Sequence, residues 1–286
     1  MKLSIVIATH RRADSLKKLL ESLSTQFDPN RHELFVAENG TSAPLTLSLP
    51  FAATHLHDPR PGKCRIQNRA LEAALGEIIV FLDDDLTVAK HYLAAVEEFF
   101  DTHPEYAAMK GRVLPASDPS VVGDLAPYLG LPLVDEGDRV RDVHGVIGAN
   151  MAFRAEALRQ VGHFDERLGP GAAGHEEETE MSQRLRRYGY RIGYAPAAIV
   201  YHEVDPSRAS RQRFIRIARE RGYCRALHEH HHRTKTRFTI VLAAARLFAA
   251  RLLRASPKRI AREEERLATA QGIMDGLGAG GRTQQR

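Results

Sequence analysis

Sulfur is scarce in this chain, with two cysteines among 286 residues, Cys64 and Cys224. That excludes a disulfide framework and points to a reducing cytoplasm. Long apolar runs are missing as well. Nowhere do 18 uncharged apolar residues follow one another, so no membrane span is predicted. The opening "MKLSIVIATHRR" has a run of only six residues, Leu3 to Ala8 with Ser4 among them. That is too short for the apolar core of a signal peptide and reads as a buried strand. "GKCR" lacks the upstream glycine and the following Ser or Thr of a phosphate-binding P-loop. "HEHHHR" (228–233) has neither paired cysteines nor a spaced second cluster, which argues against a zinc site.

What is present is a soluble composition, 43% hydrophobic and 27% charged, with a lopsided charge. Residues 1–206 carry 22 Lys and Arg against 30 Asp and Glu, whereas residues 207–266 carry 17 against 5. The net +5 therefore belongs to the C-terminal quarter, where a partner of opposite charge is expected. The acidic part has no interleaving of basic and aromatic residues, so nucleic acid is not the expected partner.

Strand and helix patterns alternate along the chain. "LSIVIA" (3–8), "HELFVAEN" (32–39) and "EIIVFL" (77–82) read as strands. Leu16, Leu19, Leu20 and Leu23 give the 13–26 segment one buried helical face. A second helix is expected over 64–75, closed by Gly76 as a C-terminal cap. A third is expected over 91–103, stopped before Pro104. The order implies an α/β fold, a parallel sheet with helices on both faces. Beyond it come a strand at 106–115, an irregular excursion over 116–142 and a strand running into a helix at 146–162. A further helix and a last pair of strands reach about 205. Residues 207–286 read as a basic helical extension whose tail, "GLGAGGRTQQR", looks disordered. The domains expected are thus 1–206 and 207–286.

The stretch "GEIIVFLDDDLTV" is the most telling. A run without polar alternation marks a central strand buried on both faces, each side chain contributing roughly 1.5–3 kcal/mol. Asp83, Asp84 and Asp85 follow it directly, at the carboxyl edge where open α/β sheets bind ligands. Neighbouring carboxylates repel by on the order of a few kcal/mol, and a divalent cation shared with substrate phosphates removes that repulsion. The plainer alternative is an acidic turn opening the next segment.

Six segments, in this order and spacing, carry a resemblance: "LSIVIATHRR", "VAENGTS", "GKCRIQNRAL", "FLDDDLTV", "GANMAFRAEAL" and "GHEEETEMSQRLRRYGYRI". Over about residues 1–205 the chain resembles a family 2 glycosyltransferase of GT-A fold, a nucleotide-diphospho-sugar transferase. The resemblance implies a hexosyltransferase-type enzyme of polysaccharide biosynthesis, metal-dependent and inverting, with Mn²⁺ or Mg²⁺ as cofactor. Its donor is a nucleotide sugar and its acceptor a saccharide or lipid-linked glycan. It places Thr9, His10, Arg11 and Glu38 at the nucleoside, although the family usually has Asp where Glu38 stands. Arg65, Asn68 and Arg69 share one helix face, which in the family borders the nucleotide; a solvated face is the alternative. Asp83 is expected to reach toward the ribose and, together with Asp85, toward the metal. Asp84, Gly148 and Asn150 are expected to border the donor sugar and acceptor. His202 matches a position where some relatives supply a metal ligand, the alternative being a structural strand-end histidine.

Helical geometry selects the inward acids of the second cluster. With Met181, Leu185 and Tyr188 as the buried stripe, Glu177 and Glu178 lie within about 60° of it, while Glu176 and Glu180 point further away. The family pattern aligns Glu178, with Glu177 beside it, as the catalytic base. The competing explanation is negative charge favoured at a helix start.

Within the basic quarter, Phe238, Val241, Leu242, Phe248 and Leu252 share a face of "RFTIVLAAARLFAARLLR", with Ile240 and Leu247 on the arginine side. This segment either packs on the catalytic domain or a second copy, as in a homodimer, or lies peripherally on an anionic membrane surface. In the latter case each Lys or Arg adds about 1 kcal/mol. Two other functions are weighed. A sugar-1-phosphate nucleotidylyltransferase usually has a glycine-rich signature after the first strand, which "ATHRRADSL" lacks. An inactive sugar-nucleotide-binding relative would be expected to have lost the Asp83/Asp85 or Glu177/Glu178 sets.

Overall fold

Residues 2–46 and 51–283 are described here from a computed structural model. The first strand, β1 (Leu3–Thr9), is buried at every position. Helix α1 (Ala13–Ser24) follows and turns Leu16, Leu19, Leu20 and Leu23 inward. Strand β2 (His32–Asn39) pairs in parallel with β1, and β3 (Thr54–Asp58), which the sequence did not signal, pairs in parallel with β2. The polar "THLHD" of β3 lies at the sheet edge, where one flank needs no apolar cover.

Helix α2 spans Lys63–Ala73. Gly76 does not cap it, because the chain is already extended at Ala74. Instead the Gly76 N–H donates to Ser4 Oγ at 2.8 Å. A Cβ there would stand 2.5 Å from that oxygen, so glycine lets the chain press against β1. Strand β4 (Ile78–Asp83) then runs parallel to β1, turns at Asp84–Asp85, and continues as β5 (Leu86–Val88). Helix α3 (Tyr92–Thr102) and strand β6 (Tyr106–Pro115) follow.

The irregular excursion holds a 3₁₀ segment, Pro119–Tyr128, and the two-residue strand β7 (Arg141–Asp142). Strand β8 (Asn150–Arg154) leads into α4 (Ala155–Val161), and α5 (Glu177–Arg187) precedes β9 (Arg191–His202). The expected last pair of strands is therefore one strand. Its register against β6 slips between Gly111/Ala195 and Arg112/Ile199, beside Pro196, which cannot donate to the ladder.

The sheet order is β3-β2-β1-β4-β8-β6-β9-β5, with β7 on β9. The first four strands in this order are parallel, β1, β2 and β4 as expected, but β8 runs antiparallel to both β4 and β6, so the sheet is mixed. Alternation along β1 sends Leu3, Ile5 and Ile7 to one core, with α1 and α3, and Val6 to the other, with α2, α4 and α5.

The chain divides into two compact units. The first comprises 1–117, 132–172 and 177–203; the second comprises 118–131, 173–176 and 204–286. In the second, α6 (Arg211–His228), α7 (Arg233–Leu252) and α8 (Pro257–Thr283) pack together. The segment expected to be disordered is helical through Thr283, and 284–286 lie outside the described residues. Close helix packing explains the difference. A Cβ on Gly276, inside that segment, would stand 2.6 Å from Ala226 Cβ of α6, and one on Gly222 or Gly272 would collide with the backbone of the facing helix, so these glycines bring α6 and α8 into close contact. Glu264 of α8 ties the bundle by accepting from Arg211 of α6 at 2.7 Å and Arg251 of α7 at 2.6 Å.

Candidate active site

Parallel pairing brings Thr9, Glu38 and Asp83 to one rim. Thr9 stands opposite Glu38, and Ala8 opposite Asp83, at the carboxyl ends of β1, β2 and β4. The three aspartates do not face one another uncompensated. Arg12, just past β1, reaches Asp84 Oδ1 at 2.8 Å and Asp85 Oδ2 at 2.9 Å. Lys63, the first residue of α2, reaches Asp83 Oδ1 at 2.6 Å. The repulsion expected among them is thus answered in large part by two protein cations.

Neither cation is among the residues expected from the sequence. Each follows a sheet strand at the same rim, Arg12 after β1 and Lys63 after β3, and that placement is the signal that could have found them. Burial works against the charge on each, but the surrounding carboxylates outweigh it and raise both pKa values. The Lys63 ammonium also lies 3.5 Å from Glu177 Oε1. One buried cation therefore joins two acidic clusters that lie far apart in the sequence.

Asp84 is a framework residue in this arrangement. It is buried and accepts from Thr9 Oγ1 at 2.7 Å as well as from Arg12. Burial holds its carboxyl above the usual range, more than Arg12 and Thr9 pull it down.

Asp85 meets His202, which sits opposite Leu86 in the β5–β9 ladder. His202 Nδ1 lies 2.8 Å from the Glu203 carbonyl oxygen, which can only accept, and this assigns the proton to Nδ1. The other ring nitrogen, Nε2, faces Asp85 Oδ1 at 3.4 Å. An imidazole nitrogen and a carboxylate oxygen are ligand types that a divalent metal takes, so the chemistry of this pair fits one. Asp83, the third expected ligand, is bound to Lys63 instead. Among the described residues no three His, Cys, Asp or Glu side chains form a ready ligand set. The remaining ligands would be substrate oxygens and water, as is usual for Mg²⁺ and Mn²⁺.

The other expected contacts are distributed unevenly. Glu38 is wholly buried and accepts from Thr41 Oγ1 (2.6 Å), Leu45 N–H (2.8 Å) and His55 Nε2 (2.9 Å). Burial raises its pKa, these hydrogen bonds lower it, and the net shift is downward. Its carboxylate orders the loop after β2 rather than facing the rim. His10 Nδ1 bonds the Asn39 carbonyl at 2.7 Å, and Arg11 is exposed with φ +56°.

Helix α2 uses its polar face for bracing. Asn68 exchanges two hydrogen bonds of 3.0 Å with the Phe164 backbone. Arg65 meets Glu166 at 3.3 Å, and Arg69 meets the His57 carbonyl at 2.9 Å. Asn150 is also a strut. Its amide bonds Tyr92 Oη (2.7 Å), Ala198 O (2.9 Å) and Arg112 O (3.1 Å), with no exposed surface left for a ligand.

Gly148 is different. A Cβ there would stand 3.7 Å from Lys63 Nζ, 3.9 Å from Glu177 Oε1 and 3.9 Å from the Glu178 carboxyl carbon. Gly148 therefore borders the meeting point of all three. Glu177 is buried and Glu178 partly exposed at the first turn of α5. Glu176 and Glu180, expected further from the buried stripe, are buried as well. Glu180 is buried against Arg184 (2.6 Å), and Glu176, at φ +74° before the helix begins, is buried against Arg225 (3.2 Å). Ideal helical phase failed at Glu176 because that residue is not helical. The glycine-rich loop before it packs tightly, since a Cβ on Gly171 would stand 2.5 Å from Gly62 N.

A model of the family described as glycosyl transferase family 2 matches residues 4–162, more than half of the chain. A glucosyl-dolichyl phosphate glucuronosyltransferase of Haloferax volcanii is 23% identical over 222 residues, covering 71% of this chain and 70% of that protein. The succinoglycan biosynthesis protein ExoM of Rhizobium meliloti is 27% identical over 264 residues, covering 86% and 82%. Among solved structures, the mannosyltransferase PcManGT of Pyrobaculum calidifontis, in complex with GDP-Man and Mn²⁺, matches with a TM-score of 0.55 at 19% identity. That match covers 97% of this chain and 75% of the other. Other relatives are longer: the chain spans 42% of one further curated protein and 65% of one further solved structure.

Proposed function

The chain belongs to glycosyl transferase family 2, and from that premise we propose that it moves a sugar from a nucleotide-diphosphate donor to an acceptor hydroxyl in one inverting displacement. The observation that carries this reading is the Lys63 bridge. It sets the acid that begins the Asp83–Asp85 turn and the acids that open α5 on either side of one ammonium.

Asp83, partly exposed at the rim, receives the nucleotide side of the donor, with Thr9 at the end of β1 and His10 and Arg11 on the adjoining loop. Asp85 and His202 hold a divalent cation, Mn²⁺ or Mg²⁺. When bound, that cation supplies charge neutralisation to the leaving diphosphate. Lys63 holds Asp83 and Glu177 in fixed positions and adds positive charge beside the reacting centre. Glu178, the more exposed of the two α5 acids, takes the proton from the acceptor hydroxyl, a role typically worth about 10²–10⁴-fold in rate. Gly148 keeps the space before that carboxylate open for the acceptor.

The acceptor class proposed is a saccharide or lipid-linked glycan. Support comes from the names of two relatives, one acting on a glucosyl-dolichyl phosphate and one in succinoglycan biosynthesis. The basic residues 207–266 are read as facing an anionic membrane surface. Among the described residues no helix is long and apolar enough to cross a membrane.

The test is a thermal-shift screen of UDP, GDP, dTDP and CDP sugars with and without Mn²⁺. Ligand binding to the folded state raises apparent stability, and a metal-dependent rise for one nucleotide class is expected. No rise with any donor, metal present, would overturn the reading.

A further inference from the structure

Helix α7 is apolar on two opposite faces. Thr236, Ala243, Leu247 and Ala250 are buried, and α7 packs on α8. Leu247 is thus a core residue, not a flaw in an amphipathic pattern. At 100° per residue, Phe238, Val241, Ala245, Phe248 and Leu252 fall on the opposite side, within an arc of about 80°. The four large ones are 67–70% exposed. Single exposed apolar side chains are ordinary, but four in one stripe mark a surface that meets something.

The flanks say what it meets. Arg237 lies along one edge of the stripe, with Lys235 and Arg246 on the other side. All three are exposed and without an ion pair among the described residues. From His230 to Arg262 there are nine Lys and Arg and no Asp or Glu. A second copy pairing stripe to stripe would bring like charges together with no local acid to answer them. An anionic bilayer answers them all.

We infer that α7 lies in the interface of an anionic bilayer, with Phe238, Val241, Phe248 and Leu252 among the acyl chains and Lys235, Arg237 and Arg246 at the headgroups. This rests on the membrane-facing reading of 207–266 and assigns the contact to one helix face.

The chain has no tryptophan, so a single introduced one reports its own surroundings. Phe248→Trp is compared with Leu75→Trp, an exposed apolar site in the first unit. Vesicles are phosphatidylcholine with and without phosphatidylglycerol, carrying brominated acyl chains. The expected result is a blue shift and quenching of F248W only with phosphatidylglycerol, and neither for L75W. The triple variant Phe238→Ser, Phe248→Ser, Leu252→Ser, checked for unchanged helicity, is expected to float about tenfold less.

Flotation of the full chain at low salt without quenching of F248W would overturn the inference while leaving a purely electrostatic membrane contact. No flotation at all would overturn both. A lipid-free blue shift accompanied by a doubled mass would assign the stripe to a second copy and overturn the inference. None of these outcomes touches the donor thermal-shift screen, so a failure here is separable from a failure of the transferase reading.

Discussion

Lys63 Nζ lies 2.6 Å from Asp83 Oδ1, and the same ammonium reaches Glu177 Oε1 at 3.5 Å. Removing one partner of a buried ion pair strands the others, a loss of about 3 kcal/mol or more. Lys63→Met is therefore expected to lower stability by about 3 kcal/mol, read from the urea midpoint at constant slope. A midpoint within error of the parent would show that Asp83 and Glu177 do not depend on this cation.

Asn150 sits in the sequence segment expected at the donor sugar, yet its amide holds three backbone and side-chain partners in the core. Asn150→Ala is expected to lose about 2–4 kcal/mol by leaving Tyr92 Oη and two carbonyls unsatisfied. The donor dissociation constant at a temperature where the variant is folded should be unchanged. A large affinity loss with intact stability would return Asn150 to the pocket.

Glu178→Gln is expected to leave donor binding intact and cut turnover by about 10²–10⁴-fold. Full turnover would move the base to Glu177. Gly148→Ala should fit sterically, since its nearest contacts are ordinary, and should raise the acceptor KM more than the donor KM.

Asp85→Asn and His202→Ala each remove half of the proposed cation pair. Either is expected to abolish the Mn²⁺-dependent part of the donor thermal shift. An undiminished Mn²⁺ increment in both variants would place the metal elsewhere.

Acid should weaken the fold through Glu38 and Asp58. Both have folded pKa values below their ordinary 4.5 and 3.8, Asp58 at about 2 because of Arg60. Such groups add stability above the unfolded pKa and lose it as pH falls through the folded one. Stability should therefore drop between about pH 4.5 and 2. Asp84 has the opposite sign: its raised pKa favours the folded state when protonated, and that contribution fades as pH rises. Glu38→Gln should flatten the acid limb of a pH–urea series; an unchanged limb would show that Glu38 contributes nothing to it.

Much was legible in the sequence because it is local or periodic. The apolar run before Asp83 could only be a central strand, and the leucine spacing of α1 only an amphipathic helix. Their order along the chain then put three carboxylates on a sheet rim. Strand β3 and the helical tail were not legible, because an edge strand and a glycine-lined helix contact depend on neighbours distant in sequence. The same applies to side-chain partners. Arg12 meets residues 84 and 85, Lys63 meets 83 and 177, and His202 meets 85. Sequence by itself determined which elements form and which acids gather. Only the tertiary structure decided which cation answers each acid, because a charge pair depends on a few ångströms in space, and the residues that supply it stand scores of positions apart along the chain.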